Sequence, residues 1–330
     1  MRRVDRRLLT VVLMVVGVLS AMVATGCERQ EPETVRESAA PSAGAQPRDI
    51  DEVRVVALSP AIAATMRDLG LGGLVVGRHG WDQWSDQSLP SCGDQGGVDY
   101  EALLRVRPTH VLLQWSGEVP RRLEEMASEN TWELTNHPIL SLEDIQKAAR
   151  DLAAKFATAD AAKVRVRASA GGALIERDDP WRLGRAIGVD GDTAGVIRRR
   201  VLLLVPGTAP AGLGPGSCHH ELLEIVGGAS VFGAGAGPYV ELDGEDVLRL
   251  APGAIVVFAP RAPGATGRSG SVGVEGYVEL LGVIAKLDVP AVREGRVWVI
   301  DDPLGLVPST SMLRVRDELA RAMEAWLGGR

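Results

Sequence analysis

The sequence predicts an α/β protein of two similar lobes, each with a parallel sheet, joined by one long backbone helix. Three observations predict it. First, one segment occurs twice. Asp99-Tyr100-Glu101-Ala102-Leu103-Leu104-Arg105-Val106-Arg107-Pro108 runs into the apolar stretch 109–113, and Asp243-Gly244-Glu245-Asp246-Val247-Leu248-Arg249-Leu250-Ala251-Pro252 runs into 253–257. Asp, Glu, Leu, Arg and Pro fall at identical offsets in both copies. In each copy Asp caps a short helix and Glu sits in its first turn, where the macrodipole favours negative charge. Proline then ends the helix, and the apolar run enters a buried strand. A repeat at so long a spacing implies two lobes of similar build. Second, short strands alternate with helices around each copy, which suits a parallel sheet. Third, residues 141–177 are rich in Ala, Lys, Arg and Leu and hold no proline, predicting a helix of over 30 residues.

Bulk properties narrow the classes. At 330 residues the chain can bury two modest cores, and 45% apolar with 24% charged residues is globular composition. Net charge is −7; the first 26 residues carry four Arg and one Asp, leaving −10 for the rest. An acidic body argues against a nucleic-acid partner. Three cysteines are too few for a disulfide framework.

Residues 1–26 read as a lipoprotein signal peptide. Arg2, Arg3, Arg6 and Arg7 precede an apolar run, 8–23, that is short for a membrane span. Ala24-Thr25-Gly26 then leads into Cys27, and small residues before a cysteine resemble the bacterial lipobox. Cys27 is therefore the expected lipidation site. The expected location is an exported lipoprotein, membrane-anchored and facing the periplasm or cell surface. Residues 27–51 hold hardly any large apolar side chains and read as a flexible tether.

The first lobe is expected over 52–140. A strand at 53–58 ends at Ser59-Pro60, a helix spans 61–69, Gly70-Leu71-Gly72-Gly73 stops it, and 74–77 is a second strand. The loop Arg78-His79-Gly80-Trp81-Asp82-Gln83-Trp84 follows, and the first repeat's strand ends at Gln114-Trp115. In open α/β sheets ligands bind beyond the carboxyl ends of the strands. Trp81, Trp84 and Trp115 stand at such ends in a chain only 4% aromatic, as candidates for a flat apolar platform. A helix at 120–133 passes into a short strand near Trp132. Ser141 and Asp144 open the connecting helix, 141–178, as a capping box. Residues 178–200 read as an irregular insertion, with Trp181 folded back onto a lobe.

The second lobe is expected over 179–330. A buried strand at 201–205 leads to a glycine-rich loop, 212–217, a helix at 218–225, and a returning strand at 229–233, whose last three residues echo 75–77. The loop lacks the Lys-Ser/Thr of a P-loop and the dinucleotide spacing. The second repeat copy follows. A helix spans 277–286, a strand begins near Arg296, and a final amphipathic helix covers 311–327.

These signals, in order and spacing, resemble the periplasmic binding proteins for cobalamin and ferric siderophores, the substrate-binding components of ABC importers. The resemblance covers 53–327. It rests on Arg54-Val55-Val56-Ala57-Leu58-Ser59-Pro60, Leu69-Gly70-Leu71-Gly72, both repeat copies, Gly214-Pro215-Gly216-Ser217, Glu221-Leu222-Leu223-Glu224 with Gly227-Gly228, and Gly295-Arg296-Val297-Trp298-Val299-Ile300. It implies two Rossmann-like lobes with the ligand clamped in a cleft between them. It also implies that a glutamate on each lobe, Glu101 and Glu245, docks into arginine pockets of a membrane permease served by its ATPase. Cobalamin binders of this kind place a tryptophan where Trp115 stands. Siderophore binders add arginines, for which Arg78, Arg261 and Arg268 are the candidates. Ser217-Cys218-His219-His220 begins a helix that faces the cleft, so Ser217, His219 and His220 join the tryptophans as ligand contacts. The expected ligand is cobalamin or another corrinoid; haem or a ferric siderophore is the alternative. No resident cofactor and no closed metal site are expected. Cys92 and Cys218 are read as free thiols, because a bridge between them would cross the cleft. An enzyme is not expected: neither Ser59 nor Ser217 lies in a nucleophile elbow. A sensor that keeps the fold without a transporter is the remaining alternative.

Overall fold

The computed structural model describes residues 53–157 except 95, residue 166, residues 171–182, and residues 200–327 except 263, 264, 268, 272 and 273. The expected signal peptide, Cys27 and the tether lie outside the described residues, as do 183–199 of the insertion and Arg268.

The apolar run after Arg54 forms β1 (Val55–Ala57), buried along its length. Ser59 caps α1 (Pro60–Asp68), its hydroxyl accepting from the backbone of Ala61 and Ile62, while Pro60 occupies the first turn, where no N–H is needed. The chain returns through β2 (Val75–Arg78). A two-residue hairpin pair, β3 (Gly93–Asp94) and β4 (Gly97–Val98), precedes the first repeat helix α2 (Tyr100–Val106) and its strand β5 (His110–Leu113). Helix α3 (Arg121–Glu129) and β6 (Glu133–Asn136) complete a wholly parallel sheet in the order β2-β1-β5-β6.

The Ser141–Asp144 capping box opens α4 (Leu142–Phe156), the long backbone helix. It is shorter than expected. A continuous helix would hold Gln146 and Arg177 about 46 Å apart, yet Gln146 Nε2 donates to the carbonyls of Leu174 at 3.2 Å and Arg177 at 3.0 Å. The chain has turned back, and α5 (Gly172–Glu176) lies against α4. Gly171 fits this return, because a Cβ there would stand 3.0 Å from the carbonyl oxygen of Asp68, to which its own N–H donates. Trp181 is buried, as expected of a side chain folded back onto the body.

The second sheet starts with β7 (Val201–Val205) and runs through β8 (Ala211–Leu213), α6 (Cys218–Ile225), β9 (Tyr239–Glu241), the second repeat helix α7 (Gly244–Leu250) and β10 (Ala254–Phe258). Then come β11 (Gly270–Ser271), α8 (Val274–Leu281), a 3₁₀ turn at Gly282–Lys286, α9 (Pro290–Arg293), β12 (Val297–Ile300) and α10 (Met312–Leu327). Its order is β11-β12-β10-β7-β8-β9. The centre is parallel and both edges are antiparallel.

Two sequence expectations change here. The first half of the glycine-rich loop is strand β8, paired antiparallel to β7. Its glycines answer to packing, since a Cβ on Gly212 would run into the Phe232 ring and one on Gly214 into the Gly237 carbonyl. The strand expected at 229–233 is reduced to a single bridge, Val201 to Ser230. The edge of β7 that such a strand would take is occupied by β8.

One apolar cluster runs from β1 and α1 through α4 to α6 and α10, so both sheets rest on a shared core. Satellite clusters fill the far face of each sheet. Among the described residues no helix is long and apolar enough to cross a membrane.

Candidate functional site

The carboxyl end of β2 is built around Arg78, expected as a possible ligand contact, and Asp82, which carries no expectation from the sequence. Arg78 donates to the carbonyls of Leu89 at 3.2 Å, His79 at 3.2 Å, Gly80 at 3.4 Å and Asp82 at 3.3 Å, so it fixes the loop. Asp82 is 2% exposed. Its Oδ1 accepts from the backbone of Trp84 at 3.0 Å and Ser85 at 3.1 Å, and its Oδ2 from the Ser85 hydroxyl. This Asx turn holds Trp84 half-buried beside Trp81, which is 36% exposed. Next to them, His79 Nδ1 accepts from the Trp81 N–H at 3.2 Å. In the neutral ring that arrangement places the hydrogen on Nε2. Burial holds the His79 pKa below its usual value, against the raising effect of Asp94 and Asp82.

At the carboxyl end of β5, Trp115 packs on the cluster behind the first sheet. Asn136, the last residue of β6, clamps its backbone: Oδ1 accepts from Trp115 N–H at 2.7 Å and Nδ2 donates to Trp115 O at 3.0 Å. Between the two tryptophan-bearing ends stands Ser59, which donates to Gln114 Oε1 at 2.6 Å while capping α1. Its hydroxyl is committed to structure. The first lobe thus brings Trp81, Trp84 and Trp115 to the carboxyl ends of β2 and β5, on either side of β1 in one parallel sheet.

In the second lobe Ser217 caps α6, accepting from His220 N–H at 3.2 Å and donating to Gly214 O at 2.8 Å. His219 does not face the ligand side. It shares a helical face with Leu222 and Leu223, three and four residues on, and all three are buried. Its Nε2 donates to Gly305 O at 2.7 Å, and the ring packs edge-on to Phe258 at 5.0 Å. Burial lowers its pKa to about 4. His220 lies on another face, with Nε2 3.4 Å from Glu224, while Nδ1 is buried with no hydrogen-bond partner.

Cys92 and Cys218 are free, buried thiols, as expected. Burial pushes them up to about 11 and about 12, so neither is reactive near neutral pH. Arg261 is held by Asp301 at 3.1 Å, at the carboxyl end of β12. A cavity of about 400 Å³ lies apart from all of these, between α4 and α5, with Arg150, Ala154, Val166 and Ile175 in its wall.

Glu101 and Glu245 occupy the same second position of α2 and α7, and both are exposed. Each has an exposed leucine one turn on: Leu104 is 48% exposed and Leu248 45%. The geometric match extends to the helix ends. Arg107 and Ala251, each just before proline, take left-handed φ values of 47° and 42°. Arg54 donates to the Val106 and Arg107 carbonyls, and Arg200 to those of Leu250 and Ala251. These arginines immediately precede β1 and β7, and they belong to the repeat.

No family model and no curated protein matches the chain. Solved structures do. A periplasmic heme-binding protein, RhuT from Roseiflexus sp. RS-1, aligns with a TM-score of 0.57 at 21% identity, over 82% of this chain and 99% of its own. The periplasmic vitamin B12 binding protein BtuF of Vibrio cholerae aligns with a TM-score of 0.60 at 15% identity, over 83% and 97%. An ABC transporter substrate-binding protein from Listeria monocytogenes EGD-e aligns with a TM-score of 0.55 at 18% identity, over 82% and 98%. Over 82–83% of its length this chain is similar in its two-lobed fold to periplasmic proteins that bind heme and vitamin B12.

Proposed function

We propose that the chain is the substrate-binding lipoprotein of an ABC importer, capturing a planar metal chelate, first of all cobalamin or another corrinoid, and handing it to a membrane permease. The observation that carries the ligand class is the set of three tryptophans at the carboxyl ends of β2 and β5, on either side of β1 in one sheet, two of them on a loop pinned by Asp82 and Arg78. Indole faces suit a large flat ligand. Two of the three arginines weighed for an anionic siderophore are otherwise employed, Arg78 on carbonyls and Arg261 on Asp301, and Arg268 lies outside the described residues. The histidine tautomers favour a corrinoid, which brings its own axial base, over a haem held by histidine. His79 carries its hydrogen on Nε2, and His219 points inward.

Ser217 and His220 complete the proposed ligand contacts from the second lobe, and His219 leaves the set. Haem is the second reading, favoured by the unpartnered Nδ1 of His220. His220→Ala separates the two: loss of an iron ligand lowers haem affinity at least a hundredfold, whereas loss of one side-chain contact lowers corrinoid affinity by less than tenfold.

The proposed delivery contact is the pair Glu101 and Glu245, each beside an exposed leucine. A carboxylate accepts a bidentate arginine contact, and Leu104 and Leu248 add apolar area at equivalent places. Cys27 is the proposed lipid anchor. Ligand uptake by cells carrying the permease tests delivery. Glu101→Ala with Glu245→Ala is expected to cut uptake at least tenfold while leaving ligand affinity unchanged; normal uptake by that double variant sinks the docking role.

A further inference from the structure

Cys218, His219 and Met312 meet inside the second lobe, where α6 packs on α10. Cys218 Sγ lies 3.6 Å from His219 Nδ1 and 3.8 Å from Met312 Sδ. Because a carbonyl can only accept, the 2.7 Å contact to Gly305 O fixes the hydrogen of His219 on Nε2. Its Nδ1 therefore turns a lone pair toward Cys218 Sγ, which in turn faces Met312 Sδ. A thioether has only lone pairs, and the thiol has one hydrogen to serve two acceptors. Three soft or borderline donors share one proton. The other buried thiol differs: Cys92 has a backbone carbonyl, Pro90 O at 3.8 Å, as its neighbour.

We propose that Cys218 Sγ, His219 Nδ1 and Met312 Sδ form a binding site for one soft monovalent cation of the Cu(I) class. Thiolate and thioether select that ion over harder ones. Zinc prefers a closed set of four ligands without a thioether. The spacing also fits. With metal–sulfur bonds of roughly 2.3 Å and a metal–nitrogen bond of roughly 2.0 Å, the two separations subtend roughly 111° and 114° at a common ion. On binding, the thiol proton leaves to solvent, and thiolate plus cation make a neutral centre suited to a buried position. The Nε2–H bond to Gly305 O supplies the outer contact that orients a ligating imidazole. Among the described residues no group of three His, Cys, Asp or Glu could hold a metal, and here the third ligand is a thioether.

The test is a Cu(I) titration of the full chain carrying Cys27→Ser, under a sulfur-free reductant and in competition with a chromophoric Cu(I) chelator. One equivalent is expected to bind, with X-ray absorption showing two sulfurs and one nitrogen around copper. Cys218→Ser and Met312→Leu should each weaken binding at least tenfold, and Cys92→Ser should leave it unchanged. Absence of competitive binding, a copper shell without two sulfurs, or loss of binding with Cys92→Ser overturns the proposal. The absorption spectrum of the chain with Cys218, His219 and Met312 intact decides the matter even if a core variant fails to fold.

Discussion

Asp82 has no apolar neighbour pattern to announce it, yet it spends both carboxylate oxygens on the turn that presents Trp84. Asp82→Ala is expected to cost about 1–2 kcal/mol of stability and to weaken ligand binding beyond that of a surface variant, measured by urea melts and equilibrium titration side by side. His219 carries a prediction of a different sort. Its folded pKa, about 4, lies below the ordinary imidazole value, so burial favours the neutral ring. The resulting stability is present above about pH 6.5 and is lost as pH falls toward 4, on the order of 3 kcal/mol in all. His219→Gln should flatten that part of a stability-against-pH curve. The residue's inward face was readable from Leu222 and Leu223 at helical spacing. What drew the eye instead was the adjacent pair His219-His220, whose two rings serve different faces.

Among the elements, the two repeat helices agree in more than their shared letters. Asp99 and Asp243 cap them, Arg107 and Ala251 close them in the left-handed region, and Arg54 and Arg200 hold their last carbonyls. Ala251→Gly is expected to raise stability by about 1 kcal/mol, because a side chain at φ 42° is strained and glycine is not. A thermal melt checks it. Asp, Glu and Pro showed the duplication in the sequence; the arginines stayed hidden because they lie over 40 residues upstream, and only the parallel pairing of β1 with β5 and β7 with β10 brings them to the helix ends. The connector teaches a related lesson. Gly171-Gly172 interrupts the helical stretch 141–177, where each glycine costs about 1 kcal/mol relative to alanine. In the fold Gly171 is where the backbone passes against Asp68, a long-range contact that no local propensity reports.

For the whole molecule, the question is what sets the spacing of the lobes. Among the described residues, two polar contacts run from the first lobe to the second, both at Asp68, and a third ties the second lobe to the backbone helix. Glu221 Oε2 accepts from Leu142 N–H at 3.0 Å, Thr310 Oγ1 donates to Asp68 Oδ2 at 2.7 Å, and Arg314 lies between Asp302 and Asp68, at 2.6 Å and 3.6 Å. With the shared apolar core beneath them, they favour small adjustments over a wide hinge. Arg314→Ala should speed amide exchange at the end of α1 and raise the ligand off-rate, with the on-rate nearly unchanged. Two lobes and their order were legible from the repeat and the strand–helix alternation. The antiparallel edges of the second sheet were not: one contains Gly212, which lies under the Phe232 ring in what read as a glycine-rich loop, and the other is a strand of only two residues, Gly270–Ser271.

Tryptophan fluorescence, followed as cobalamin, cobinamide, haem and a ferric siderophore are titrated into the unlipidated protein, tests the central claim most directly. The account predicts saturable quenching by the corrinoids at one ligand per chain, weakened at least tenfold by Trp115→Ala. No response to any tetrapyrrole, or tighter binding of the siderophore than of either corrinoid, would contradict it.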